Sequence, residues 1–294
     1  MASEIDIINT LLGFLFWFIL LFAVLSPYLS LRSVKVARLR LMSLIERKYG
    51  YRVITMIHRQ EKVGLFGIPI HRYIDIEDSE AVIRAIRTTP KDKPIMFVIH
   101  TPGGLVLAAS QIARALKDHP AKTVVVVPHY AMSGGTLIAL AADEIIMDPH
   151  ATLGPLDPQL MGPNGIYMPA PSVVKAVQLK GVDKVSDTTL ILADVAEKAL
   201  NQMKALVREF LEGKVPEDRI DKIVEELVSG KYTHDYPITV DILKKWGIPV
   251  KTEVPPEIYE LMELYPQARS SRPNIEYLPY PVPAPRGDSE RRAR

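Results

Sequence analysis

The chain has 294 residues, with 36 Lys+Arg against 34 Asp+Glu and no cysteine. That length holds one large domain with appendages or two small ones, and a net charge of +2 lacks the basic surplus of a nucleic-acid binder. The missing cysteine excludes disulfides, zinc–thiolate and iron–sulfur sites, and a cysteine nucleophile.

Residues 7–31 carry no charge and include LLGFLFWFILLFAVL at 11–25. About 20 apolar residues suffice for a spanning helix. A cleaved leader would begin with Lys or Arg and end in small residues. Here Glu4 and Asp6 precede the run, and Ser26-Pro27-Tyr28 is a poor cleavage site. The expectation is a retained N-terminal transmembrane anchor over 1–31. Arg32, Lys35, Arg38, Arg40, Arg47 and Lys48 follow it, with no Lys or Arg on the other side. The positive-inside rule then makes this a single-pass protein of the cell membrane with its body in the cytoplasm. Residues 32–50 read as a basic juxtamembrane segment that can lie on anionic membrane lipid.

From residue 51 the pattern alternates. Strands are predicted at 52–58, 94–100, 123–128 and 144–148. Helices are predicted at 79–87 behind an Asp78/Ser79 cap, then at 105–117, 133–142, 193–212 and 216–229. Runs such as Thr123-Val-Val-Val-Val127 are buried on both faces, as in a parallel sheet covered by helices, so the fold class is α/β. The body is assigned to 51–255. Eight of the 24 prolines fall after residue 254, and 256–294 reads as a Pro-rich, disordered tail.

Two glycine pairs end consecutive strands. His100-Thr101-Pro102-Gly103-Gly104 follows PIMFVIH, and Met132-Ser133-Gly134-Gly135-Thr136 opens the next helix. Glycine lets backbone approach a substrate, and strand-to-helix turns present amides that can hold an oxyanion. Ser133 stands where a nucleophile would; the plainer account is a helix N-cap serine among packing glycines. No P-loop and no G-x-G-x-x-G after a strand occurs, so no cofactor and no ATP dependence is expected. His58, His71, His119, His129 and His234 lack metal-ligand spacing, so no metal is expected. Asp157 reads as a turn residue.

Together, HTPGGL and AMSGGT in this frame resemble the Clp-protease/crotonase superfold. Within it they resemble the signal-peptide-peptidase-A-like membrane proteases, in the branch called serine dehydrogenase proteinases. The resemblance covers about residues 52–250. It implies a ClpP/crotonase-like fold, a serine peptidase with Ser133 as nucleophile, and an oxyanion hole from Gly134 with Gly103 or Gly104. It also implies a homo-oligomer acting on peptide or membrane-protein substrates. The Clp-type histidine is missing from the loop at 151–159. The lysine-type proteases carry their base ahead of a long helix, about fifty residues after the serine. Lys184 occupies that place, with Lys175 and Lys180 as rivals, and Ser186, Thr188 or Thr189 could orient the amine. Other readings are an acyl-CoA enzyme using the same paired amides, and a catalytically silent oligomeric membrane scaffold.

Overall fold

The computed structural model describes residues 2–58, 73–163 and 165–265, with backbone alone at 2–9 and 23–31. His71 and positions 266–294 of the expected tail lie outside the described residues. In chain order the elements begin with α1 (Ala2–Tyr49), β1 (Arg52–Ile57), α2 (Ile76–Arg87), β2 (Ile95–His100) and α3 (Val106–Lys117). Next come β3 (Thr123–Val127), β4 (Tyr130–Ala131), α4 (Gly134–Ala141), β5 (Glu144–Met147), β6 (Thr152–Leu153), β7 (Gln159–Met161) and β8 (Tyr167–Pro169). Then follow α5 (Ala170–Lys180), a 3-10 turn (Val182–Lys184), α6 (Asp187–Leu211) and α7 (Glu217–Val228). The series ends with β9 (Ile238–Thr239), α8 (Val240–Trp246), β10 (Val250–Lys251) and α9 (Pro256–Glu263).

The main sheet has the order β1-β2-β3-β5-β10, and every pair in it is parallel. Side chains alternate across a strand, so each strand feeds two cores. Met96, Val98, Val124 and Val126 meet Ile45 of α1 and Ile258 and Leu261 of α9. Phe97, Ile99, Val125 and Val127 face the opposite core with Ile112, Leu116, Leu137 and Phe210. A second sheet has the order β4-β6-β9, and β7 and β8 form a separate hairpin.

Several expected boundaries move. Helix α2 starts earlier than predicted, because Asp75 caps it in a reciprocal box with Asp78. Helix α6 begins at Asp187, capped by Ser186, rather than at 193. The basic segment is continuous helix from Arg32 to Tyr49, and its last turns belong to the folded body. Ile45 is fully buried, Arg38 Nε donates to Leu264 O at 2.7 Å, and Tyr49 Oη donates to Glu257 at 2.8 Å, with Lys48 paired to the same carboxylate. The expected tail therefore does not start at 256: Pro255 and Pro256 open helix α9, where proline's fixed φ and missing N–H cost nothing.

Among the described residues, no helix is long and apolar enough to cross a membrane. Within α1 the side chains from Leu11 to Phe22 are exposed. The transmembrane part of the expected fold is thus not established by the structure.

Helix α4 is buried at all of its positions. Its last carbonyls, Leu140 O and Ala141 O, accept hydrogen bonds from Lys214 Nζ at 2.8 and 2.6 Å. Burial pulls the Lys214 amine down to about 8. Between about pH 8 and 10.5 the native amine has shed its proton while the unfolded one retains it, so this group adds stability as pH rises. Denaturant unfolding at pH 7 and pH 10 should show that gain in wild type and a smaller one in Lys214→Met. Ile45→Ala should cost about 2–5 kcal/mol in the same measurement, the range for a fully buried aliphatic side chain.

Candidate active site

Thr101 joins the two glycine turns. Its backbone forms a bridge to Ala131 at the end of β4. Met132 N donates to Thr101 O at 2.9 Å, and Thr101 N donates to Tyr130 O at 3.3 Å. The turn after β2 is thereby clamped beside the turn before α4. Ser133 lies between them at φ 49°, ψ −117°. Among the described residues it is the one non-glycine with positive φ. Such a conformation costs of order 1–3 kcal/mol and persists only where its surroundings enforce it. The Ser133 side chain makes no capping hydrogen bond to α4. That removes the plainer account of Ser133 as an N-cap, since a cap serine accepts from the first-turn amides.

Glycine is required on the facing turn. A Cβ on Gly103 would stand 2.7 Å from Ser133 Cβ and 3.2 Å from Gly134 N, and a Cβ on Gly104 would collide with Ile74 backbone at 2.3 Å. Ile74 N donates to Gly103 O at 2.7 Å, and Leu105 N donates to Ile74 O at 2.8 Å. In a trans peptide the C=O and N–H point opposite ways. With the Gly103 carbonyl held by Ile74, the Gly104 N–H is turned away from Ile74. Gly104 N lies 3.6 Å from the point a Gly134 Cβ would occupy. The Gly103 amide, by contrast, donates to Thr101 Oγ1 at 3.2 Å. The Gly134 amide is the first of α4 and has no acceptor within the helix. The structure thus separates two amides the sequence left equivalent: the Gly103 amide is spent on Thr101, and the Gly104 N–H is turned away from Ile74.

The predicted base is not joined to the serine. Lys184 ends the 3-10 turn, Lys175 and Lys180 lie on α5, and all three are exposed. Among the described residues no hydrogen bond or ion pair links any of them to Ser133. Ser186 and Thr189, expected to orient an amine, instead bond each other at 3.0 Å in the cap of α6. Lys214, whose amine is pulled down to about 8, serves the opposite end of α4. Eight helical residues put it about 12 Å from the serine end.

Sequence reading missed a carboxylate–imidazole pair. Asp157 is 2% exposed and accepts from Gln159 Nε2 at 2.7 Å, while His234 Nδ1 lies 2.7 Å from its other oxygen. Strand β6 pairs parallel to β4 and antiparallel to β9, with Ala131 opposite Leu153 and Leu153 opposite Ile238. Ser133, Asp157 and His234 therefore all leave this small sheet at the same end. The partners are 77 positions apart, and the only sequence signal for them was an otherwise uncharged loop, GPLDPQ, with Asp157 inside it.

A family model described as ClpP-like SDH-type serine proteinase matches residues 2–293. The chain is similar to two uncharacterized proteins of Methanocaldococcus jannaschii. One is 54% identical, covering 96% of this chain and 97% of the relative; the other is 52% identical, covering 95% and 94%. It is 26% identical to a probable protease, SohB, of Haemophilus influenzae over 49% of this chain and 43% of that protein. Among solved structures it is similar to a mutant of the 1510-N membrane-bound stomatin-specific protease, with TM-score 0.46 and 23% identity over 65% of this chain and 79% of that one. The family match runs through both glycine turns and over nearly the whole sequence, and the protein belongs to the ClpP-like SDH-type serine proteinases.

Proposed function

We propose that the protein is a membrane-anchored, ATP-independent serine peptidase. Its nucleophile is Ser133, and its oxyanion hole is formed by the Gly104 and Gly134 amides. The observation that carries this reading is the backbone of Ser133. A positive φ is held against a turn only glycine can form, and the hydroxyl is not used as a cap. Ser133 Oγ attacks a peptide carbonyl, the two amides take up the developing negative charge, and the base returns its proton to the leaving amine. Water then hydrolyses the acyl-enzyme.

The base is Lys184, in a Ser–Lys dyad completed by assembly. A lysine acts as a base only when burial or nearby cations make its neutral form available. In a single protomer Lys184 is exposed. Its neighbours in sequence, however, include exposed apolar side chains: Leu179 at 77%, Val182 at 60% and Ile191 at 67%. A second copy of the chain covering that face of α5 and α6 would dry the amine. A second reading of the base is supported by the His234–Asp157 hydrogen bond. The buried carboxylate fixes the imidazole tautomer and leaves Nε2 as an acceptor.

Residues 7–31 form the membrane span in this reading, with the basic residues from Arg32 onward on the cytoplasmic side. Continuity of α1 into the body would hold the cleft at a fixed distance from the bilayer, next to the ends of membrane-embedded substrates.

Labelling by a fluorophosphonate probe and cleavage of a quenched fluorescent peptide, both on full-length protein in membranes, test the chemistry. Ser133→Ala should abolish both signals while the protein stays folded; cleavage retained by that variant overturns the reading. Lys184→Ala should lose activity by about 10²–10⁴-fold, the share of a general base. A wild-type rate in Lys184→Ala with that loss in His234→Ala moves the base to the imidazole. Protease added outside intact cells should leave the body uncut, and its digestion would reverse the topology.

A further inference from the structure

We propose that His58, oriented by Asp78, is a positioning residue that sets the oxyanion amide of Gly104 through the hydroxyl of Thr101. The inference rests on the reading of Ser133 and the glycine turns as a peptidase site. His58 lies just past β1, where its amide donates to His100 O at 2.7 Å. It is 5% exposed, and Thr101 is fully buried. Both ring nitrogens are engaged: Nδ1 lies 2.9 Å from Thr101 Oγ1, and Nε2 lies 3.2 Å from Asp78 Oδ2. A buried histidine in the peptidase site with two specific partners is more than packing requires.

The proton positions follow from the partners. Burial opposes ionisation of Asp78, but hydrogen bonds from His58 and from the Asp75 backbone outweigh it and hold the carboxyl below its ordinary range. A carboxylate only accepts, so in the neutral imidazole His58 Nε2 carries the proton and Nδ1 accepts. Thr101 Oγ1–H then donates to Nδ1, and the same oxygen accepts the Gly103 amide at 3.2 Å. The hydroxyl has one other acceptor nearby, Gly103 O at 3.4 Å. That carbonyl is the one Ile74 N holds, and its grip turns the Gly104 N–H away from Ile74. With His58 as acceptor, the hydroxyl proton stays off the Gly103 carbonyl. With the other tautomer, Nδ1–H would donate to Thr101, the hydroxyl proton would turn to Gly103 O, and it would add a second pull on the carbonyl that aims the amide.

Thr101 offers a clean separation of this role from packing, because its Cγ2 methyl lies 2.6 Å from the Cβ position of Gly135 while its hydroxyl serves the relay. Thr101→Val keeps the methyl and removes the hydroxyl; Thr101→Ser does the reverse. Kinetics on a quenched fluorescent peptide, with full-length assembled protein, should show kcat lowered about 10–100-fold in Thr101→Val with KM little changed. That is less than the ~10²–10³-fold lost with an oxyanion donor itself. Thr101→Ser should stay close to wild type. Asp78→Asn, whose amide can donate to Nε2 and impose the other tautomer, should lower kcat as Thr101→Val does. Ser133→Ala, run in parallel, reports on the underlying reading: if it cleaves, the nucleophile assignment falls. If Ser133→Ala is dead while Thr101→Val and Asp78→Asn keep the wild-type kcat, the relay is overturned and the peptidase reading stands. A loss in Thr101→Ser equal to that in Thr101→Val also overturns it, since the methyl would then be the group that matters. Should Thr101→Val show no cooperative melting, the kcat values of Thr101→Ser and Asp78→Asn decide by the same criteria.

Discussion

The contact between the Gly103 turn and Ser133 is the constraint from which the candidate site follows. Two strand ends meet so closely that a single added Cβ would stand 2.7 Å from the serine's own. Such an approach needs glycine on one side and a forced backbone on the other. Both are present, in the positive φ of Gly103 and Gly104 and in Ser133 at φ 49°. The strain is maintained by ordinary backbone hydrogen bonds: Met132 to Thr101, Ile74 to Gly103, and Leu105 to Ile74. None of these is strong alone, but each ties together segments about thirty residues apart beside a buried strand, where breaking it would strand a polar group away from water.

The sheet supplies the rigidity those loops need. Strands β2 and β3 are buried at every position, so the turns leave from a slab packed on both faces. One of those faces is closed by the end of α1 and by α9, two elements from opposite ends of the sequence. Glu257 receives both Lys48 and Tyr49, and Arg38 both donates to Leu264 O and stacks 4.0 Å over the Tyr265 ring. The exposed ion pair is worth little by itself. The buried contacts of Ile45, Ile258 and Leu261 carry the attachment.

Much of this was legible in the sequence because it is written locally. Thr123-Val-Val-Val-Val127 announces a doubly buried strand, and the two glycine pairs announce their turns within a few residues. What escaped was written at a distance or in composition that misleads. Pro255 and Pro256 read as a tail signal yet start a helix, because proline is accepted in a first helical turn and the apolar residues Ile258, Leu261 and Met262 follow at helical spacing. The α2 cap was misplaced by three residues because Asp75 and Asp78 are both competent caps, and only the reciprocal box distinguishes them. The equivalence of Gly103 and Gly104 was broken by Ile74, which lies about thirty positions earlier and outside any predicted element. Asp157 found His234 through three short strands of two residues each, too brief to leave a periodic pattern.

Helix α4 ties the electrostatics of the site together. Its eight residues are all buried, so its dipole acts in a medium that screens it poorly. The positive end begins at the Gly134 amide, beside the serine, where a peptide carbonyl would gain negative charge. The negative end carries orphan carbonyls that water cannot reach, and Lys214 satisfies two of them. A cation at that end complements the dipole, while burial disfavours the charge and pulls the amine down to about 8. The favourable and unfavourable terms act on the same ammonium, so the residue remains protonated at neutral pH with little in reserve. A neutral donor in its place would satisfy the same carbonyls and leave the dipole uncompensated. The lysine therefore satisfies the last carbonyls of a helix whose other end faces the reacting carbonyl in the proposed chemistry, while burial outweighs what its charge gains there.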